Sequence, residues 1–183
     1  MQKAPEGYFE EYHTYDEVKE FYQGLAAQYP DLAEFIPSVG QTIEGRDIFA
    51  FRFTDNNGTT DKPGIFFQCQ IHAREWISGA VCGYVVDHLL ANYGGNNNET
   101  AVMDSVVFNV IPIINPDGYV HTWTNDRLWR KNRNPNGGAA CYGVDVNRNY
   151  NAHWGEGGSS SQPCSDTYMG SAPNSELETQ TTR

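Results

Sequence analysis

Apolar side chains recur at three- and four-residue intervals between Tyr15 and Tyr29, at Val18, Phe21, Tyr22, Leu25 and Tyr29, which is the period of a helix with one buried face. Thr14 stands where an N-cap is needed and Pro30 where the helix must end. The period then drops to two. Ile48, Ala50 and Arg52 alternate with Phe49, Phe51 and Phe53. This predicts a strand over 47–53, preceded by another over 35–39 across the turn Glu44-Gly45-Arg46. Ile65 to Gln70 and Val106 to Ile114 are nearly continuous apolar runs, the pattern of strands covered on both faces. Pro112 interrupts the second run near its C-terminal end. Residues 76–92 are small and apolar and predict a helix, with polar loops over 55–62 and 94–98. From Asn115 to Gln162 Asn, Gly, Ser and Pro dominate, and no regular element is predicted; long irregular stretches in a compact domain are usually functional or disordered. Ser175 to Thr182 reads as a last helix capped by Asn174 or Ser175. Glu176 and Glu178 fall in its first turn, where the helix dipole favours carboxylates.

Helices alternating with buried strands predict an α/β fold, a mixed and largely buried sheet flanked by helices, in one domain over 1–183. Ligands bind such folds where the C-terminal ends of strands open into loops. His72 and Asn115 each follow a buried strand directly, so both are expected on one edge of the sheet.

The formal net charge of -11 argues against a nucleic-acid partner, whose phosphates need a basic face. No apolar run approaches the ~20 residues of a membrane span, and the N-terminus lacks the apolar core of a signal peptide. The charge is uneven: residues 1–68 carry twelve acids and five bases, whereas 127–148 carry five bases and one acid. Trp129 and Asn147 lie in that basic stretch, which reads as a local anion site. Four cysteines, Cys69, Cys82, Cys141 and Cys164, allow three pairings. No Cys-x-x-Cys spacing suggests a zinc cluster.

His72 and Glu75 stand three positions apart just after the first apolar run. Zinc takes His nitrogen and Glu oxygen, and a catalytic site has three protein ligands plus an open position. The His-x-x-Glu spacing alone also arises by chance. Further along come Asn115-Pro116-Asp117-Gly118-Tyr119, Arg127-Leu128-Trp129-Arg130-Lys131 and Asp145-Val146-Asn147-Arg148-Asn149-Tyr150.

Together these motifs resemble the zinc carboxypeptidase A/B family, from about Tyr12 to Arg183. The resemblance implies one Zn2+ held by His72 and Glu75. It implies that Arg130 stabilises the oxyanion of peptide hydrolysis, with Arg74 and Arg127 as substrate contacts. Asn147 and Arg148 would capture a C-terminal carboxylate, which suits an amide donor beside a guanidinium fork. It also implies disulfides Cys69–Cys82 and Cys141–Cys164, each contributing roughly 3 kcal/mol, and hence a secreted protein. Trp129, Tyr150 and Trp154 read as packing. His13, His88, His121 and His153 do not match the family's third-ligand motif. In the family that histidine, a glutamate base and a closing tyrosine come after the position of Arg183. The expectation is therefore the N-terminal portion of a catalytic domain, with an unpaired sheet edge and a C-terminal fragment completing it. The implied activity is zinc-dependent hydrolysis of the C-terminal peptide bond of peptides or proteins with a free C-terminus. The alternative is an inactive short form that binds peptide C-termini without cleaving them.

Overall fold

Thr14 and Glu17 close a reciprocal capping box at the head of α1 (Tyr15–Gln28): the Thr14 amide donates to Glu17 Oε2 at 2.7 Å and the Glu17 amide to Thr14 Oγ1 at 3.5 Å. The computed structural model describes residues 4–55, 61–136 and 140–182, and much of the predicted polar loop over 55–62 lies outside them. Four strands follow from the patterns above: β1 (Ala33–Gln41), β2 (Asp47–Phe53), β3 (Gly64–Gln68) and β4 (Val107–Ile111). They form one mixed sheet in the order β1-β2-β4-β3. β2 runs antiparallel to β4, with Phe51 opposite Val110, and β3 runs parallel to β4, with Phe66 opposite Asn109. Gly45, at a φ of 81°, lies in the turn between β1 and β2, a backbone region that suits glycine.

The chain divides into two compact units. The first holds most of the sheet with α1, α2 (Trp76–Asn92) and α3 (Asn98–Ser105). Tyr22 on α1 is fully buried against Phe49 and Phe51 of β2, with ring centroids 5.9 and 5.2 Å away. Cys69 and Cys82 form a disulfide with Cα atoms 6.6 Å apart, tying the end of β3 to α2. The second unit holds α4 (Pro116–Thr124), α5 (Leu177–Thr181) and the irregular segments around them. Its disulfide, Cys141–Cys164, has Cα atoms 5.0 Å apart. Buried Asp117 accepts from Thr42 Oγ1 (2.7 Å), the Glu44 amide (3.0 Å) and Arg46 Nη1 (2.8 Å), which fixes the β1–β2 turn inside this unit. No helix among the described residues is long and apolar enough to cross a membrane.

Several expectations are corrected. β3 is not covered on both faces: it ends the sheet, and Phe66 and Phe67 are 52% and 39% exposed. The region read as lacking regular structure contains α4. Asn115 caps it by accepting from the Gly118 amide at 3.0 Å, with Pro116 at its start. Helix α3, capped by Asn97, was not predicted. Helix α5 starts later than expected, after Glu176, and has no side-chain cap.

Candidate functional site

The parallel neighbours β3 and β4 deliver residues 69–75 and Asn115 from the same end of the sheet, as the sequence pattern predicts. Gln70 turns the first segment sharply, at a φ of 55°. Its buried amide Nε2 donates to the carbonyls of His72 and Ala73 at 3.1 and 3.0 Å. Asn115 Nδ2 donates to the carbonyls of Ile71 and Lys131, at 3.1 and 3.2 Å, and the Ala73 amide donates to the Arg130 carbonyl at 3.0 Å. The backbone around His72 is thus fixed to the segment that carries Arg130.

His72 Nδ1 lies 3.1 Å from both carboxylate oxygens of Glu75. Two donors sharing a tetrahedral zinc at about 2.0–2.2 Å lie roughly 3.4 Å apart, so the pair needs to move by only a few tenths of an ångström to hold one ion. On the other side of the ring, Nε2 donates to Asp145 Oδ1 at 3.2 Å. Asp145 is fully buried, and its ionised carboxylate can only accept. With the ring proton on Nε2, given to Asp145, the Nδ1 lone pair would be free for a metal shared with Glu75. A carboxylate behind a histidine in this way fixes the tautomer and ring orientation of a metal ligand. Asp145 Oδ2 also accepts from Arg130 Nε and Nη2, at 3.2 and 2.9 Å, and Arg130 Nη1 comes to 3.6 Å from Glu75. Burial alone would push the Asp145 carboxyl up. The hydrogen bonds and charge of His72 and Arg130 outweigh burial and hold it below the usual carboxylate range.

The same carboxylate builds the next feature. Asp145 Oδ1 accepts from the Asn147 amide at 3.0 Å and starts a single 3-10 turn over Val146–Arg148. Asn147 projects outward from it. Arg148 donates from Nε to the Gly158 carbonyl at 3.1 Å and from Nη1 to the Asn147 carbonyl at 3.1 Å. Both residues line a cavity of about 260 Å³ with Tyr150, His153, Glu156 and Ser159. Arg74 and Arg127 are joined to each other: Arg127 Nη1 donates to the Arg74 carbonyl at 2.9 Å, and Arg74 Nη1 donates to the Leu128 carbonyl at 3.0 Å and pairs with Asp166 at 3.3 Å.

Not every base of the stretch 127–148 is open to an anion. Lys131 is buried and donates to the Pro163 carbonyl at 2.7 Å. Arg133 is stacked between Trp129 and Tyr142, 4.6 and 4.8 Å from their ring centroids. Arg130 is bound to Asp145 as above.

None of the other histidines joins His72 and Glu75. His13 contacts the Tyr8 carbonyl, His88 pairs with Glu99, His121 lies edge-on to Trp129, and His153 pairs with Glu156. Among the described residues no three His, Cys, Asp or Glu side chains are grouped to hold a metal. The residues present therefore fit zinc as a pair of donors with an orienting carboxylate.

Gly143 shows how tightly the site's support is packed. Its φ is +84°, and a Cβ there would lie 2.5 Å from the Asn132 carbonyl oxygen. Gly143→Ala is expected to cost at least about 2 kcal/mol, from the backbone conformation and the clash together; chemical denaturation measures it, and a loss within about 0.5 kcal/mol of zero would contradict the packing described.

Glu178, expected to be stabilised as a carboxylate by its helix dipole, is instead 1% exposed and lacks a partner for Oε1. Burial, joined by the charges of Glu176 and Asp117, pushes it up to about 7. A carboxyl raised on folding favours the folded state while protonated. That contribution is full below about pH 4.5 and is lost as pH rises through about 7, a fall on the order of 3 kcal/mol. Denaturation midpoints of wild type and Glu178→Gln across this range test it: the wild type should fall relative to the variant, and parallel curves would contradict it.

A sequence model of the family described as zinc carboxypeptidase matches residues 18–183. Carboxypeptidase B of Rattus norvegicus is 41% identical over 171 residues, covering 93% of this chain and 40% of the relative. Metallocarboxypeptidase A of Trichophyton tonsurans is 43% identical over 176 residues, covering 96% of this chain and 42% of the relative. The crystal structure of thrombin activatable fibrinolysis inhibitor superposes with a TM-score of 0.92 at 35% identity, over 100% of this chain and 45% of that one. The chain thus spans about two-fifths of the length of these relatives.

Proposed function

Because this chain belongs to the zinc carboxypeptidase family, we propose that residues 1–183 form the N-terminal portion of a metallocarboxypeptidase catalytic domain that acts on the free C-termini of peptides. The observation that carries this reading is the Asp145–His72–Glu75 arrangement, in which a buried carboxylate turns one ring nitrogen toward a second carboxylate 3.1 Å away. His72 Nδ1 and Glu75 would hold one Zn2+. When bound, the metal polarises a carbonyl and acidifies a water. Arg130, held in place by Asp145, supplies a fixed positive charge to a developing oxyanion. Asn147 and Arg148 bind the terminal carboxylate at the cavity they line, and Arg74 and Arg127 contact substrate further from the scissile bond. The rest of the zinc shell and the general base are assigned to a C-terminal segment of the domain. The two disulfides support an oxidising, extracellular setting.

The second reading is binding of C-termini without cleavage, which the cavity lined by Asn147 and Arg148 supports. One peptide, offered with a free and then an amidated C-terminus, tests the clamp. Binding of the free form at least about tenfold more tightly is expected, since a charge-assisted hydrogen bond contributes ~1.5–3 kcal/mol. Equal binding would exclude both readings. Release of the terminal amino acid by the mass-verified chain with zinc, at a rate near ~10 s⁻¹, would overturn the second.

A further inference from the structure

Asn132 is buried and uses its side chain four times. Its Oδ1 accepts from the Val144 and Asn134 amides at 2.8 and 3.3 Å. Its Nδ2 donates to two carboxylates at once, Glu176 Oε2 at 2.8 Å and Glu178 Oε2 at 3.0 Å. The Asn132 amide also donates to the Val144 carbonyl at 3.1 Å. One side chain therefore clamps residue 132 to residue 144, two positions after Arg130 and one before Asp145, and joins both to a buried pair of acids.

The two acids are not equivalent. Glu176 also accepts from Asn134 Nδ2 at 2.8 Å and from Ser175 Oγ at 2.6 Å. Glu178 accepts from its own backbone amide and from Asn132, and its Oε1 is buried with no partner. The charged groups that face Glu178 are Glu176, at the head of its own helix, and Asp117 of α4, both negative. A second charge at this place has no basic side chain to meet it among the described residues.

We propose that Glu178 is a proton-operated positioning residue that acts through Asn132 on the segments carrying Arg130 and Asp145. With its proton in place, Glu176 holds the only negative charge on the Asn132 amide, and the clamp on Val144 is intact. When that proton leaves to solvent, the NH2 group still donates one hydrogen to each glutamate, but the two buried carboxylates now carry like charges side by side. Their repulsion pulls on Asn132 and loosens its grip on Val144, and with it the register of Arg130 and Asp145 behind His72. The carboxyl, raised to about 7, places the change near neutral pH. This deepens the proposed function and rests on it for the importance of Arg130 and Asp145.

The test is an NMR titration of the isotope-labelled full chain between about pH 5.5 and about pH 8.5, around the raised midpoint. The Asn132 side-chain NH2, the Val144 and Asp145 amides and Arg130 Nε–H are expected to shift with one common midpoint near 7 and to stay flat in Glu178→Gln. At the upper pH the Val144 amide should exchange with solvent about tenfold faster in the wild type than in the variant, and equally fast at the lower pH. The proposal is overturned if the four signals are flat in the wild type. It is equally overturned if their shifts survive in the variant, or if Asn132 titrates while Val144, Asp145 and Arg130 do not. If Glu178→Gln does not fold, the Glu178 Cδ resonance of the wild type must share the common midpoint, and a different midpoint overturns the proposal. Failure of the zinc reading would show separately, as zinc affinity indifferent to His72.

Discussion

His72→Ala is expected to lower zinc affinity at least ~10²-fold. Structural zinc sites with four protein ligands bind with roughly 10–16 kcal/mol, so one ligand of such a set contributes on the order of 3 kcal/mol. The ring nitrogen faces Glu75 at 3.1 Å, and among the described residues no third His, Cys, Asp or Glu joins the pair to replace it. Glu75→Gln should behave alike, because a neutral amide is a poor zinc ligand. His88→Ala supplies the control. His88 also faces a glutamate, Glu99 at 3.0 Å, but the pair is part-exposed, and no second carboxylate is found accepting from the His88 ring among the described residues. Equilibrium dialysis of the three variants measures the difference. Equal affinity for wild type and His72→Ala would mean that zinc binds elsewhere.

Asp145→Ala is expected to be the most damaging single substitution to the fold of the second unit. The carboxylate is fully buried and accepts from His72, from Arg130 twice and from the Asn147 amide. Removing one partner of a buried charged network costs about 3–5 kcal/mol, because the desolvated guanidinium of Arg130 keeps only the longer, 3.6 Å approach to Glu75. Zinc affinity should fall a further ~10–100-fold through loss of the group that orients His72. Chemical denaturation reads the first effect and metal titration of the folded fraction reads the second. A stability loss under about 1 kcal/mol would show that Arg130 finds other partners.

Where information is local, the sequence was readable. The Thr14 cap, the 3.6-residue period of α1 and the alternation of β2 each act within a few residues, and α2 begins and ends where the small and apolar run does. Both disulfide pairings, taken from the family resemblance, are present in the structure. Exposure of β3 was not legible, because an apolar run says that a strand is sticky and not whether it ends a sheet. Helix α4 was not predicted, because Asn115, Pro116, Asp117 and Gly118 are all turn formers. An Asn cap followed by Pro at the first helical position is as good a helix start, and that signal was available.

The site divides along the same line. His72 and Glu75 lie three residues apart, and their convergence follows from local chain geometry. Asp145, 73 residues from His72, was legible only as part of a motif. Its role depends on which side chains it meets in space, although a metal-binding histidine's need for a second partner was a reason to look for a carboxylate. Glu178 was misjudged for a related reason. Its position in a helical first turn is favourable in water, but α5 turns that face inward, where burial outweighs the dipole.

The claim that zinc sits between His72 and Glu75 is tested most directly by an anomalous difference map at the zinc absorption edge, from crystals of the zinc-loaded chain. One peak is predicted, about 2.0–2.2 Å from His72 Nδ1 and from a Glu75 carboxylate oxygen, with Asp145 still on Nε2. A map with no density there, or with its strongest peak at His88 and Glu99, would contradict the account.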